Sequence, residues 1–304
     1  PIDSLVTRPV ALLASGGSRR GREVYEELEA DFGPRLTYCE LVKHSDEWTA
    51  AVKRARKAGA EVIAVGGGDG TVHYAAPLVE SAGAILGLVP LGTGNALARD
   101  VGIPLDPHAA LRLCLQEGIV AKMDGAMMNE HPFVTVATTG LTSRIAKIVA
   151  AAPKKKLGRL VYVPAVLRAA LLSRAFAASI TADGETFTGR AWQIVVSNTR
   201  THGGPFVATP DASPNNGKLG VYVVSHRRRA VLVRYFVALM RGKHTEMPEV
   251  WSADAEHIEI RLSRMRTFIL DGEKVRARIC DFHAQPGRYR LIVPPGSPLS
   301  SSAE

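Results

Sequence analysis

The chain has 304 residues, of which 46% are hydrophobic and 22% are charged; this composition is typical of a globular protein and excludes a disordered or fibrous one. The length allows one large domain or two ordinary domains with substantial cores. The net charge of +9 favours a polyanionic partner (nucleic acid, an anionic membrane surface or a phosphate-rich substrate), although a basic surface that only maintains solubility explains it equally well.

The first third of the chain alternates apolar runs with helical patterns. The apolar runs predict strands over residues 9–15, 35–42, 61–66 and 84–90. Apolar side chains at helical spacing predict helices over residues 19–33, 45–60 and 72–83, and a short helix from Asn95. This order predicts a parallel sheet with helices on both faces, in which ligands bind beyond the carboxyl ends of the strands.

From about residue 124 the pattern changes to β-branched runs separated by turn signals. These runs predict strands within residues 131–140, 176–198, 218–225, 257–263, 266–279 and 289–294. We therefore expect an antiparallel, sandwich-like second domain. Two segments that are both basic and apolar, 157–175 and 227–244, are expected to be helical exceptions.

The stretch AVGGGDGT (64–71) is a glycine-rich turn at the end of a predicted strand. Its four glycines permit positive φ angles and leave backbone N–H groups open to an anion, and Thr71 is expected to begin a helix whose N-terminus favours phosphate. Asp69 suits such a site only if a divalent cation lies between it and the phosphates. The turn therefore predicts a nucleotide bound with Mg²⁺; a tight strand-to-helix turn without a ligand is the alternative.

A second glycine turn, PLGTGNALAR (90–99), follows the next predicted strand. Gly92 and Gly94 open the backbone, and Thr93 offers a hydroxyl group. Asn95 is expected to cap the following helix. Arg99 lies one turn inside that helix and could reach a phosphate, although a lone surface arginine is more often solvated.

Other nucleotide-binding and catalytic signatures are absent from the sequence. There is no G-x-x-x-x-G-K-[ST] motif, and both glycine turns lack the third glycine of a dinucleotide-binding fingerprint. The histidines do not have metal-binding spacing, and no Ser/His/Asp set indicates a hydrolase. Because no basic module interleaved with aromatic residues is present, we expect no nucleic-acid partner.

The two glycine turns together are familiar: GGDGT followed by PLGTGNALAR resembles the diacylglycerol kinase catalytic family, which includes sphingosine kinases and the YegS/BmrU-type bacterial lipid kinases. Further segments match that family in order: residues 122–145, 154–163, 196–224 and 268–275. The resemblance covers most of the chain. GGDGT alone is less specific, because it also occurs in NAD kinases and resembles a phosphofructokinase motif.

The resemblance implies a fold and a reaction. It implies a phosphofructokinase/NAD-kinase-like α/β domain over residues 1–123 and an antiparallel β-sandwich domain for the lipid substrate over 124–291, with the tail 292–304 returning to the first domain. It implies a lipid kinase that transfers the γ-phosphoryl group of ATP, with Mg²⁺, to a hydroxyl of a lipid in the cleft. Diacylglycerol, phosphatidylglycerol, a sphingoid base and an undecaprenol-like alcohol all remain open as the lipid.

The resemblance also assigns roles by position. Asp69 would organise the metal–nucleotide complex, and Asp124 matches a family aspartate near the cleft. The residues expected to cradle phosphate are Gly67, Gly68, Gly70, Thr71, Gly92 and Thr93. After the first strand, the family's N-P-x-[SA]-G is replaced by ASGGS, where Gly16, Gly17 and Ser18 are expected to do the same anion-binding work.

The acceptor hydroxyl needs a group that takes its proton. The resemblance places this base within the DGE tripeptide at 271–273, with Glu273 as the preferred residue and Asp271 as the second choice. The same tripeptide occurs at 183–185, where Asp-Gly between two strand-like runs indicates only a hairpin turn. A purely structural turn is therefore the alternative for 271–273 as well.

Cysteine usage and the N-terminal residues indicate the compartment. Cys39, Cys114 and Cys280 are far apart, and residues 1–17 lack the basic start and long apolar run of a signal peptide, so the cytoplasm is expected. The basic runs Lys154–Lys156 and Arg227–Arg229, beside apolar segments, predict peripheral association with an anionic membrane that supplies the lipid. The alternative for these basic runs is that they form solvated surface. Whether the chain forms a homodimer is left open.

Two other functions remain open at this level. A soluble-metabolite kinase such as an NAD kinase would share GGDGT, but PLGTGNALAR argues against it. A catalytically silent nucleotide-binding regulator is the second alternative, because His73-Tyr74 replaces the family's Asn-Glu.

Overall fold

The structure is a computed structural model, which describes residues 8–17, 19–141, 168, 171–202, 206–207 and 212–302. The chain divides into two compact units. Unit 1 contains the described residues up to Gly125 and from Gln285 onward, and unit 2 contains those between Ala126 and Ala284. The segment predicted as helical at 157–175 lies largely outside the described residues, as do Ser18 and Lys154–Lys156.

Unit 1 alternates strands and helices, as predicted. Its strands are β1 (Val10–Ser15), β2 (Tyr38–Val42), β3 (Val62–Gly67) and β4 (Ile85–Pro90). Its helices are α1 (Arg19–Phe32), α2 (Trp48–Lys57), α3 (Asp69–Ser81), α4 (Ala96–Asp100) and α5 (Pro107–Arg112), which continues into a π-turn at Leu113–Glu117. Strand β5 (Ile119–Met128) then runs on into unit 2.

The sheet of unit 1 is parallel, with the order β2-β1-β3-β4. Every residue of β3 and β4 is buried, which is the pattern of strands covered on both faces. Helices α1 and α5 contact each other, and so do α2 and α3, so the helices form two pairs. On α1 the residues Tyr25, Leu28 and Phe32 supply the buried face.

The sheet of unit 1 is completed by residues from the far end of the chain. Strand β15 (Glu273–Val293) begins in unit 2 and ends in unit 1, where Leu291 pairs in parallel with Leu86 of β4. Its final residues Tyr289, Leu291 and Val293 are buried. Beyond the strand, the hydroxyl of Ser297 donates a hydrogen bond of 2.7 Å to the carbonyl oxygen of Val101.

Unit 2 is an antiparallel sandwich, as predicted. Its further strands are β6 (His131–Phe133), β7 (Val136–Gly140), β8 (Phe176–Ala182), β9 (Glu185–Ser197), β10 (Thr201–His202), β11 (Phe206–Val207), β12 (Leu219–Ser225), β13 (Val250–Ala255) and β14 (His257–Leu270). The order is β13-β12-β9-β7-β14-β15, and β8 pairs with both β9 and β14. The long strands β9 and β14 each pair with two other strands. The first part of each pairs with β8, and the last part pairs with β7.

Helix α6 (Val231–Met240) covers the outside of this sandwich. Its buried side chains, Val231, Leu232 and Tyr235, join a hydrophobic cluster with residues of β9 and β12. The hydroxyl oxygens of Tyr235 and Tyr222 lie 2.9 Å apart, which satisfies two buried polar groups. None of the helices that can be described in this chain is long and apolar enough to cross a membrane.

Candidate active site

Three loops of unit 1 follow neighbouring parallel strands. In the register of the sheet, Ala14 of β1 lies beside Gly66 of β3, and Gly67 lies beside Pro90 of β4. The loops that follow, at 16–17, 68–70 and 91–95, therefore emerge from the same edge of the sheet. This is the edge at which open α/β sheets bind ligands, so the sequence-based placement of the two glycine turns is correct.

The two glycine turns pack directly against each other. A Cβ atom added to Gly92 would lie 2.5 Å from the Cα atom of Gly68, and one added to Gly67 would lie 2.4 Å from the Cβ atom of Thr71. No described glycine at positions 66–70 or 92–94 has a positive φ, so the conformational reason expected for them is wrong. These glycines serve close backbone approach instead.

Gly70 differs from its neighbours because it is exposed and a Cβ atom there would have no atom within 4 Å. We expect Gly92→Ala to lower the free energy of unfolding by about 2 kcal/mol, since the backbone of a packed turn must shift. Gly70→Ala should leave it unchanged or raise it by about 0.5 kcal/mol. Urea unfolding of the two variants checks this, and equal destabilisation by both would contradict the packing of the turns.

Asp69 is the first residue of α3, which begins two residues before the predicted start at Thr71. The half-buried carboxylate of Asp69 reaches across to the second turn, where its Oδ1 accepts a hydrogen bond of 2.6 Å from the backbone N–H of Ala96. Ala96 is the first residue of α4. Asp69 therefore carries negative charge at the N-terminal ends of two helices, where the helix dipoles favour it.

Asn95 occupies the N-cap position of α4, but the expected capping bond is absent. Its backbone is left-handed (φ 48°), and its side chain turns back to Gly92, accepting from its N–H at 3.0 Å and donating to its carbonyl at 2.9 Å. The exposed Arg99 also binds the turn itself, with Nε 3.0 Å from the carbonyl oxygen of Gly94. Both side chains shape the turn, and Asp69 does the capping.

The available hydrogen-bond donors lie on the open side of the two turns. Within the described residues, the backbone N–H groups of Gly70, Thr93 and Gly94 have no hydrogen-bond partner. Between the turns and β4 there is a cavity of only about 10 Å³, which has room for roughly one water molecule. A phosphate group would therefore lie outside this cavity, against the exposed N–H groups of Gly70 and Thr93.

The loop after β1 contributes less than expected. The backbone N–H of Gly16 donates a hydrogen bond of 2.8 Å to the carbonyl oxygen of Val42, so it extends the sheet and is not open to an anion. Gly17 is exposed, and a Cβ atom there would meet only the Ser15 hydroxyl, at 3.6 Å. Ser18 lies outside the described residues. Of these three candidates, only Gly17 is described with an open environment.

Asp124 lies on β5 and is 3% exposed. Its Oδ1 accepts a hydrogen bond of 2.8 Å from the backbone N–H of Gly287, a residue with φ 60° inside β15. A buried carboxylate needs such donors, because desolvation of the charge is costly. Asp124 on β5 thus accepts a hydrogen bond from Gly287, which has a left-handed backbone conformation on β15.

The two DGE copies form matched hairpin turns in unit 2. Asp183 and Asp271 both have φ 45°, and Gly184 and Gly272 have φ 98° and 108°, as a type I′ turn requires. The carboxylate of Asp183 accepts the N–H groups of Glu256 and His257 at 2.8 and 3.1 Å. The prediction that this first copy is a turn is correct.

Asp271 also accepts backbone N–H groups from a neighbouring segment, and it accepts more of them than Asp183 does. Its carboxylate accepts the backbone N–H groups of Val134 (2.6 Å), Thr135 (3.1 Å) and Val136 (2.8 Å), together with the Thr135 hydroxyl. These bonds occupy the oxygens that a base would use, so the role expected for Asp271 as second-choice base is replaced by a structural one. Glu273, at the start of β15, is exposed.

The sequence did not single out Asn198, which directly follows strand β9 and is fully buried. Its Nδ2 donates a hydrogen bond of 2.9 Å to the carbonyl oxygen of Val134, and its backbone N–H donates one of 2.8 Å to that of Thr135. The loop 134–136 is therefore held by Asn198 as well as by Asp271. The signal was the position of Asn198 directly after an apolar strand within the matched segment 196–224.

The three cysteines and His73 are buried or partly buried. Burial raises the pKa of Cys39 to about 11 and the pKa values of Cys114 and Cys280 to about 12, so none is a nucleophilic thiolate at neutral pH. His73, which replaces the family's asparagine, is 8% exposed on α3. No group of three or more His, Cys, Asp or Glu side chains in the described part of the chain could hold a metal ion by itself.

Comparison with protein families gives two matches that cover most of the chain. The model described as "Diacylglycerol kinase catalytic domain" matches residues 11–128. The model described as "YegS C-terminal NAD kinase beta sandwich-like domain" matches residues 135–293. The first match contains both glycine turns and Asp124, and the second contains the hairpin with Asp271 and Glu273.

Individual proteins match over similar lengths. A "Probable lipid kinase YegS-like" protein of Pectobacterium atrosepticum is 31% identical over 94% of this chain and 97% of its own length, and one of Pseudomonas putida is 32% identical over 82% and 83%. The "Diacylglycerol kinase" of Bacillus subtilis is 27% identical over 82% and 81%. The crystal structure of a diacylglycerol kinase from Bacillus anthracis has the same fold, with a TM-score of 0.71 at 19% identity, covering 96% of this chain and 99% of that one.

Proposed function

The chain belongs to the diacylglycerol kinase catalytic domain family, together with the YegS-like lipid kinases, and from this premise we propose that it transfers the γ-phosphoryl group of Mg-ATP to a hydroxyl group of a membrane lipid. The observation that carries the proposal is the packing of the two glycine turns at one sheet edge, with open N–H groups on Gly70 and Thr93. Diacylglycerol, phosphatidylglycerol and sphingoid bases are the candidate acceptors.

Unit 1 supplies what a bound triphosphate needs. The N–H groups of Gly70, Thr93 and Gly94 can donate to phosphate oxygens, and the N-terminus of α3 adds a favourable dipole. Close packing of Gly68 on Gly92 keeps the backbone of both turns fixed, so the donors are held in place before the nucleotide arrives. These residues bind and orient the phosphates without making any covalent bond.

The residues present fit a magnesium ion that arrives with the nucleotide. Mg²⁺ is commonly bound by one or two carboxylates together with water and substrate phosphates, and it neutralises charge that develops on the transferred group. Asp69 is a half-buried carboxylate beside the phosphate-binding donors. Asp69 would therefore hold the metal, and its bond to Ala96 would keep the carboxylate oriented.

We propose Glu273 as the group that accepts the proton of the lipid hydroxyl. Glu273→Gln should lower kcat by about 100-fold while changing nucleotide affinity less than threefold, since a general base contributes to the transition state and not to ground-state binding. The matched control is Glu185→Gln, because Glu185 has the same position in the other DGE hairpin and is also exposed. Steady-state kinetics and nucleotide titration check both variants; equal losses in both would refute the assignment.

The function itself is tested by incubating the protein with γ-labelled ATP, Mg²⁺ and a panel of lipid hydroxyls in mixed micelles. We expect label in one lipid class and none in NAD. Label only in NAD would establish a soluble-metabolite kinase instead, and nucleotide binding without transfer to any acceptor would indicate a silent regulator.

A further inference from the structure

The outer face of α6 is apolar where a surface helix is usually polar. The inner face buries Val231, Leu232 and Tyr235, whereas Val233 and Val237, one helical turn apart on the outside, are 50% and 45% exposed. Beside them Ala238 and Met247 line a surface depression. An exposed apolar strip of this kind indicates a binding surface when it is framed by polar groups.

The polar residues around Val233 and Val237, which we call the frame, are cationic. Arg234, Arg241 and Lys243 line the same depression as the two valines. Between residues 226 and 249 the sequence has six cationic side chains and only two anionic ones. One of the two, Glu249, is paired with Arg234 at 2.9 Å, so the remaining arginines and the lysine carry most of the unbalanced charge.

A second apolar pair is attached to the N-terminal end of α6. The guanidinium of Arg229 donates a hydrogen bond of 2.9 Å to the carbonyl oxygen of Leu171. Leu171 and its neighbour Leu172 are 69% and 52% exposed, the first being the most exposed large hydrophobic side chain among the described residues. Together with Val233, Val237 and their cationic frame they form what we call the α6 surface.

We propose that the α6 surface docks unit 2 on an anionic membrane, with the apolar side chains entering the interface and the cationic ones contacting lipid phosphates. Amphipathic helices with apolar side chains on one face and Lys and Arg beside them bind bilayers in this way. The charge of the frame favours an anionic bilayer over an uncharged partner. This proposal rests on the proposed function, because a kinase that phosphorylates a membrane lipid must bind the membrane that contains it.

The test is flotation of the full chain with vesicles of phosphatidylglycerol and phosphatidylcholine, without nucleotide. Arg241→Gln/Lys243→Gln should weaken partitioning about 25-fold, since each basic residue near an anionic surface contributes about fivefold. Val233→Ser/Val237→Ser should weaken it about tenfold. Binding of the unmodified chain should fall steeply between about 0.1 and 1 M salt.

The matched control is Arg264→Gln/Met265→Ser on β14, where an exposed arginine adjoins a methionine that is 54% exposed. It should change vesicle binding by less than twofold. Equal loss in the control and the α6 variants, or equal binding to pure phosphatidylcholine, would overturn the proposal. So would a dimer that the α6 variants dissociate while flotation is unchanged, because the surface would then join two copies of the chain.

The proposed function can fail separately from this inference. Phosphoryl transfer to a dispersed short-chain lipid should be unaffected in the α6 variants, since none of the substituted residues belongs to the proposed phosphate-binding or proton-accepting groups. Flotation without any phosphoryl transfer would disprove the kinase function and leave the docking surface standing. Phosphoryl transfer by a protein that does not float with the vesicles would support the kinase function and disprove the docking surface.

Discussion

Asp69→Asn is expected to reduce kcat for lipid phosphorylation by about 1,000-fold while the protein stays folded. The amide has the shape of the carboxylate, and its oxygen can still accept the N–H of Ala96, so the link between the two turns is kept. The negative charge is lost, and with it the proposed ligand of the magnesium ion. Loss of one fixed electrostatic contact to a transition state costs about 100- to 1,000-fold, and a misplaced metal places the effect at the upper end.

The control for this variant is Asp106→Asn. Asp106 caps α5 by accepting the N–H of Ala109 at 2.8 Å, so it is another carboxylate at the N-terminus of a helix in unit 1. Circular dichroism, thermal unfolding and kinetics at saturating Mg²⁺ should show both variants folded and only Asp69→Asn inactive. Ordinary turnover in Asp69→Asn would refute the metal-binding role and leave Asp69 as a helix cap.

Asp271→Ala is expected to lower the free energy of unfolding by about 4 kcal/mol. Removing the carboxylate leaves three backbone N–H groups without their acceptor, and two of their residues, Val134 and Val136, are buried. Each such donor costs about 1 to 3 kcal/mol when it is left unsatisfied, with partial compensation by water. The sum corresponds to a melting temperature lower by roughly 10 °C for a unit of this size.

Asp183→Ala supplies the comparison, because it removes an aspartate with the same φ of 45° from the same type of turn. The strain of placing alanine in a left-handed conformation is therefore common to both variants. Its two N–H partners, Glu256 and His257, are exposed and can turn to water, so we expect a loss of only about 1 kcal/mol. Denaturant unfolding distinguishes the two, and similar losses would mean that the loop 134–136 does not depend on Asp271.

The strands of unit 1 and the location of its two glycine turns were predictable from the sequence, because apolar strands and glycine-rich loops leave local signals. The reason for the glycines was not predictable. Gly68 and Gly92 are 24 positions apart, and their contact exists only once β3 and β4 are side by side. The bond from Asp69 to Ala96 is hidden for the same reason, so Asn95 was expected to make the helix cap that Asp69 provides.

Local patterns also failed for two strands in which polar residues or glycine interrupt the apolar ones. Strand β13 buries only Val250 and Ala255 of its six residues, so it has no apolar run to detect. Strand β5 contains Lys122, Asp124 and Gly125, which disfavour a strand, and it forms because tertiary partners satisfy Asp124. Tertiary contacts of this kind also bind the carboxylate of Asp271, whereas the role of Glu273 as the base stays a prediction.

The return of the chain's last strand to unit 1 bears on how the protein matures on the ribosome. Strand β4 pairs with β3 early, but it acquires its second neighbour only when Leu291 has been synthesised, more than 200 residues after Leu86. Until then the nascent first half presents an unpaired edge strand, which is a site of misassociation. The sheet of unit 1 can therefore become complete only after β15 has been synthesised, and not once the first 125 residues have been made.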